Sequence, residues 1–286
     1  MKTRIISAVI GIPLILLAFF LNGYFPLCIN IICALASLVC AVELLNAKSL
    51  IKDYIISVPC MLFSALMPML VVTELWQWLI YLFVFYLVSL LIIKNQKYSF
   101  NDVAYLITAI GLSTAGFATL AATRLIEATP GYCFLIVLCI ATAWLADAGA
   151  YFVGSACGKH KLCPNVSPKK TVEGAIGGVI IGTLGAIAVA WVYDSFIFPA
   201  TWTHGFGHCG VFVDFKGVIV IGVLATITSM VGDLTFSLIK RSCNVKDYGN
   251  IIPGHGGILD RCDSIIMTAP LLFLFAQNWP LTMVCN

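Results

Sequence analysis

Charge is scarce in this chain. Asp, Glu, Lys and Arg make up only 10% of its 286 residues, against 61% hydrophobic ones, and the mean hydropathy is +1.02. Soluble domains carry about 25% charged residues. So little charge cannot cover a water-facing surface, which excludes a soluble globular protein and points to a polytopic membrane protein. The net charge is only +3, and no basic face or stripe is visible, so no nucleic acid is expected as a partner. The 12 cysteines form no spaced framework. Cys28, Cys33, Cys40 and Cys139 lie inside apolar runs, where thiols act as small packing groups and not as disulfide partners. Cys157, His160 and Cys163 lack a fourth ligand at a spacing that suits zinc. No internal repeat is visible, and polar residues are not spread through both halves, which argues against a transporter built on buried Asp147 and Asp233.

What the chain has is apolar length. A helix needs about 20 apolar residues to cross the hydrocarbon core. Nine segments qualify: 5–21, 27–45, 55–72, 75–93, 103–122, 131–153, 172–193, 216–239 and 263–284. The fold expected is therefore all-α, with about nine transmembrane helices. A tight turn at Thr73-Glu74 must join the third and fourth. The first segment follows Lys2 and Arg4 as a signal peptide would, but no small-x-small cleavage site follows, so a retained helix is expected. Of the 16 Lys and Arg, 14 fall on one side of this arrangement and only Arg124 and Lys216 on the other. That bias predicts a cytoplasmic N-terminus and a C-terminus outside.

Two halves are expected, 1–125 with about five helices and 126–286 with the chemistry. The second half carries the two most charged loops on the N-terminal side, 154–171 and 240–262. The 194–215 loop holds His204, His208 and Asp214 among glycines and reads as a solvated loop. In the first half Glu43 is an ionisable residue near a helix end, close enough to reach the interface.

The densest stretch is Ser237–Asp263. It combines Asp247, Asp260 and Asp263 with Lys240, Arg241, Lys246, Arg261 and His255, around Pro253-Gly254-His255-Gly256-Gly257. Asp260 and Asp263, three apart at the start of the last helix, share one face. Helix capping could account for one of them, but not for both flanking Arg261. Glycines of this kind let backbone N–H groups approach a ligand. Upstream, Asp233 lies seven residues before Lys240, about 10 Å along a continuous helix. A carboxylate at that depth needs a cation, a donor or water; a lysine partner and a metal both meet the need. Acids near Lys and Arg are what a phosphate–metal site requires, since carboxylates hold a hard cation and bases neutralise phosphate oxygens. The 154–171 loop repeats the theme with Lys159, Lys161 and Ser167-Pro168-Lys169-Lys170-Thr171-Val172-Glu173-Gly174. Thr171 is the expected N-cap there, with Glu173 in the first turn. Gly174, Gly177, Gly178, Gly182 and Gly185 then form a small-residue face for close helix packing.

These residues resemble the phosphatidate cytidylyltransferase family, the CDP-diacylglycerol synthases. Ser237, Lys240-Arg241, Lys246-Asp247, Gly249, Pro253, His255-Gly256-Gly257, Asp260-Arg261 and Asp263 fill that family's C-terminal signature without a gap. Trp144, Asp147, Ala150, Tyr151, Phe152 and Gly154 also look like family features, with Ala148 where members usually have Ser. The resemblance covers 130–286 strongly. It implies conversion of CTP and phosphatidate to CDP-diacylglycerol and diphosphate, with Mg²⁺ and a second cation left open. It also implies a homodimer. Short loops and a retained first helix suit a bacterial plasma (inner) membrane, and the Lys- and Arg-rich side places the active site facing the cytoplasm. In this light Asp233, Asp260 and Asp263 are the expected metal ligands, and Asp247 joins them as a catalytic candidate. Lys240, Arg241, Lys246 and Arg261 would contact phosphates, with Lys169, Lys170 and His255 behind them. A transferase acting on CDP-linked lipids would instead show D-G-x-x-A-R followed by spaced acids, which is absent.

Overall fold

The computed structural model describes residues 22, 25, 27–126, 133–164, 166–197, 211–249 and 256–284. The expected first segment, 5–21, and His204 and His208 of the long loop lie outside these. The chain forms two compact units. One is the chain up to Ala122 together with Leu238–Ile266, and the other is Thr123–Ser237 with Met267–Asn286. The charged stretch around Asp260 therefore packs with the N-terminal helices, although more than 100 residues separate them in sequence.

The protein is predominantly helical and is a multi-pass membrane protein by the length and apolarity of its helices. Among the described residues six helices are long and apolar enough to span a bilayer. These are α1 (Cys28–Ala47), α3 (Trp76–Ile93), α4 (Phe100–Leu125), α5 (Phe134–Cys157), α6 (Val172–Ile197) and α7 (Phe215–Ser242). Helix α2 (Tyr54–Leu70) is apolar but shorter, and α8 (Leu259–Asn278) opens on charged residues. Exposed Trp78, Tyr81, Leu82, Phe85, Ile92 and Ile93 on α3 leave its outer face apolar. Lipid can cover such a face where water could not.

In the first unit α1, α2 and α4 pack together, joined by buried polar contacts. Asn30 donates to the carbonyl of Pro68 at 2.7 Å, near the end of α2 where helix carbonyls lack partners. The Ser64 and Thr114 hydroxyls meet at 2.9 Å, and the Tyr105 hydroxyl donates to the Leu44 carbonyl at 2.9 Å. Phe63 and Phe83 stack with centroids 4.0 Å apart. Ser99 opens α4 with a capping box shared with Asp102. The turn between α2 and α3 closes on Thr73, whose hydroxyl donates to the Leu70 carbonyl at 2.7 Å.

In the second unit α5 and α6 run in close contact through small residues. A Cβ at Gly178 would stand 2.9 Å from the Ala146 carbonyl oxygen, and one at Gly174 2.7 Å from that of Ala150. The expected small-residue face is thus the packing face. Between the two helices the chain is not an open loop. β1 (Lys161–Cys163) and β2 (Ser167–Thr171) pair antiparallel as a hairpin, with Lys161 opposite Thr171. A second small sheet pairs β3 (Val211–Val213) with β4 (Thr282–Val284). Asp214, expected in a solvated loop, instead accepts from the Trp279 indole at 2.6 Å and from the Lys216 amide at 3.1 Å, capping α7. The last apolar run, expected helical through 284, ends its helix at Asn278 and supplies β4.

The α5–α6 contact makes a direct test of packing. Gly178→Leu should destabilise the protein by about 1–3 kcal/mol through overpacking, read as a lower unfolding midpoint in detergent. Gly111→Ala, with nothing within 4 Å of the new Cβ, should leave the midpoint unchanged or raise it.

Candidate functional site

The charged residues fall into two clusters, one in each unit. In the first unit the central pair is Lys240, in the last turn of α7, with Asp260, in the first turn of α8. Lys240 Nζ stands 2.9 Å from Asp260 Oδ1, and their side chains are only 15% and 7% exposed. The other carboxylate oxygen of Asp260 accepts from the amides of Tyr248 at 3.0 Å and Gly257 at 3.1 Å. Asp260 therefore ties the loop before α8 onto the end of α7. Tyr248 is buried and its ring lies under the Lys240 ammonium, 5.5 Å from the centroid. Burial, followed by nearby anionic groups, holds the Tyr248 hydroxyl above the ordinary tyrosine pKa, so it stays a neutral phenol.

Asp263 is buried one turn on, and its Oδ1 accepts from the Ser264 amide at 2.8 Å. The opening amides of α8 are met by Glu43, the residue expected only to reach the interface. It is 2% exposed, and its two carboxylate oxygens accept from the Ile258 and Leu259 amides, each at 2.9 Å. The cause is local. The residue before α8 is Ile258, which offers no side-chain oxygen, so the first amides of the helix need an acceptor from elsewhere.

Around this buried core Arg241, Lys246, Asp247 and Arg261 are exposed. The buried members are mostly carboxylates and the exposed ones mostly cations. A phosphate arriving from water would meet the cations first. Pro253, Gly254 and His255 lie outside the described residues. Gly256 takes φ +85° beside Asp260, a conformation that favours glycine.

In the second unit Asp233, half-buried on α7, pairs with Lys170 at 2.5 Å, and the Ser237 hydroxyl donates to its other oxygen at 3.3 Å. The lysine partner raised by the sequence is Lys170. The neighbouring Lys169 is exposed while Lys170 is not. Successive residues of a strand point to opposite faces, so the lysine doublet on β2 is split between two roles. Thr171 is the N-cap as expected, accepting from the Gly174 amide at 3.2 Å. Glu173 reaches back to the hairpin: its carboxylate meets His160 Nδ1 at 2.6 Å and the Lys159 amide at 3.0 Å. His160 is thus bound to Glu173, which removes it further from a zinc role. Asp147 is half-buried on α5.

Among the described residues no three His, Cys, Asp or Glu side chains gather into a ready-made metal cage. A small hard cation that binds together with substrate phosphates needs only one or two carboxylates. Asp263 in the first unit is an oxygen donor of that kind, as Asp233 is in the second, and the donor chemistry of each fits magnesium. Sequence reasoning missed two residues. Glu43 carried a signal, a carboxylate inside an apolar helix. Tyr248 carried none beyond its place beside Asp247.

The model of the cytidylyltransferase family matches residues 2–279. A protein of Staphylococcus haemolyticus named phosphatidate cytidylyltransferase is 34% identical over 290 residues, covering 95% of this chain and 97% of the relative. Proteins of the same name from Brucella suis and Synechocystis are 40% and 41% identical over 167 and 153 residues. Those matches cover 58% and 52% of this chain, and 56% and 45% of the relatives. Both charged clusters and the helices that carry them lie within the family match, and the chain belongs to the cytidylyltransferase family.

Proposed function

We propose that this protein is a phosphatidate cytidylyltransferase, joining CTP and phosphatidate into CDP-diacylglycerol and diphosphate as a step of phospholipid synthesis. The observation that carries the reading is the buried Lys240–Asp260 pair inside a rim of exposed Arg241, Lys246 and Arg261. The names of the full-length relatives support it. Both substrates are polyanions, one of them anchored in lipid, and a multi-pass protein with exposed cations at the end of α7, the start of α8 and between them suits both.

In the reaction a phosphate oxygen of phosphatidate attacks the α-phosphorus of CTP in line. A new P–O bond forms there, and the bond from the α-phosphorus to the bridging oxygen breaks, releasing diphosphate. Positioning and charge neutralisation supply most of the rate in such transfers. Lys240, Arg241, Lys246 and Arg261 hold phosphate oxygens, with Lys169, Lys170 and His255 assisting. Asp233, Asp260 and Asp263 would hold Mg²⁺, with Asp247 contributing from the exposed side. When bound, the ion screens the triphosphate and polarises the α-phosphate. The protein is further proposed to work as a homodimer in a bacterial plasma membrane, with nine spans, a cytoplasmic N-terminus and the site facing the cytoplasm. The distribution of Lys and Arg supports that orientation.

Purified protein in detergent, given labelled CTP, phosphatidate and Mg²⁺, should form CDP-diacylglycerol, and EDTA should stop it. No lipid-linked nucleotide would overturn the reading. Asp263→Asn should lower turnover by at least about 100-fold while membrane insertion is normal; a wild-type rate would remove Asp263 from the site. A reporter fused after Asn286 should be active only outside the cytoplasm, and a cytoplasmic signal would overturn the nine-span count.

A further inference from the structure

Glu43 is the one ionisable side chain on α1 with a carboxylate, and it is carried into the protein interior, 2% exposed. Its two oxygens are spent on backbone: Oε1 accepts from Ile258 and Oε2 from Leu259, both at 2.9 Å, across sequence separations of 215 and 216 residues. These are opening amides of α8, the helix that carries Asp260 and Asp263 one and four residues further on. Helix N-terminal amides have no partner within the helix, and a carboxylate there is held by both hydrogen bonds and the helix dipole. In most helices a local Ser, Thr, Asp or Asn does this work. Ile258 cannot. The start of α8 is therefore fastened to another helix instead of to its own sequence.

The backbone around the carboxylate is shaped to receive it. A Cβ at Gly257 would stand 2.6 Å from both Glu43 oxygens, and one at Gly249 would stand 2.8 Å from Oε1. At either position a side chain would require the Glu43 carboxylate to shift. Gly249 and Gly257 flank residues 250–255, so the same carboxylate touches the chain on either side of that segment. Asp260 binds the amides of Tyr248 and Gly257 from the other direction. Two carboxylates thus meet the described backbone on either side of residues 250–255, and only Asp260 belongs to the charged motif.

We infer that Glu43 is a positioning residue for the reaction: it sets where the first turn of α8 places Asp260 and Asp263, without touching substrate itself. The inference rests on the proposed cytidylyltransferase activity, but its structural part can be read separately. Displacement of reacting groups by about 1 Å costs up to about 100-fold in rate, so a loosened anchor should appear in kcat more than in substrate binding.

The test compares wild type with Glu43→Gln and Glu43→Asp as full-length proteins in detergent. Gln keeps the size but turns an N–H₂ toward one of the two amides; Asp keeps the charge but falls one methylene short. Two readouts are taken on protein that elutes as a single folded species: hydrogen exchange of the peptide containing Ile258 and Leu259, and kcat and KM for CTP. The expected result for both variants is faster exchange at that peptide and a kcat lowered at least about tenfold, with KM for CTP within about twofold of wild type. Wild-type exchange, or wild-type kcat in a folded variant, overturns the inference. If the Glu43→Gln protein does not fold, the Glu43→Asp protein decides by the same criteria. If the wild type itself makes no CDP-diacylglycerol, the proposed function fails. The exchange arm then decides the anchoring alone, with faster exchange supporting it and unchanged exchange ending it.

Discussion

A carboxylate taken out of water loses several kcal/mol of solvation unless donors or cations replace the water. That constraint organises the chemistry-bearing parts of this protein. Asp233 is answered by Lys170 and Ser237, Asp260 by Lys240 and two backbone amides, and Glu43 by the opening amides of a helix. Each answer also fixes geometry. A lysine bonded to an aspartate stops wandering, and a backbone amide bonded to a carboxylate is held in place. In a chain with so few charges, those that go inside double as structural pins.

The scaffold beneath them is made by the opposite kind of residue. Helices α5 and α6 approach until the carbonyls of Ala146 and Ala150 lie against glycines of the facing helix. In lipid there is no hydrophobic gain from bringing two apolar helices together, so association relies on close packing and on polar contacts between helices. The glycine face gives the first in one unit. The contacts of Asn30, Ser64 and Tyr105 give the second in the other. The large apolar side chains are left for the outer surface, as on α3.

Membership of the cytidylyltransferase family joins these physical features to a class of chemistry. A transfer between two phosphates asks little covalent work of the protein and much placement of charge. In the proposed site, exposed Arg241, Lys246 and Arg261 would meet hydrated phosphates, while Asp260 and Asp263 are held by Lys240 and by backbone amides.

The sequence alone determined the class of protein, the family and the residues of the charged stretch. It did so because those depend on composition and on short-range spacing. Apolar length located the helices, Thr171 and Glu173 marked the start of α6, and Asp260 with Asp263 marked the first turn of α8. Partners far apart in sequence were decided only by the tertiary structure. Nothing in the run of residues around Glu43 says that it caps a helix 216 residues away, because a cap is a matter of where two helices meet. The doublet Lys169-Lys170 reads as one basic patch until strand pairing turns the two to opposite faces. Asp214 reads as loop until Trp279 reaches it. The stretch from Ser237 to Asp263 is legible in the sequence as the densest charged segment. That the opening amides of α8 are held by an acid from the first described long helix required the fold.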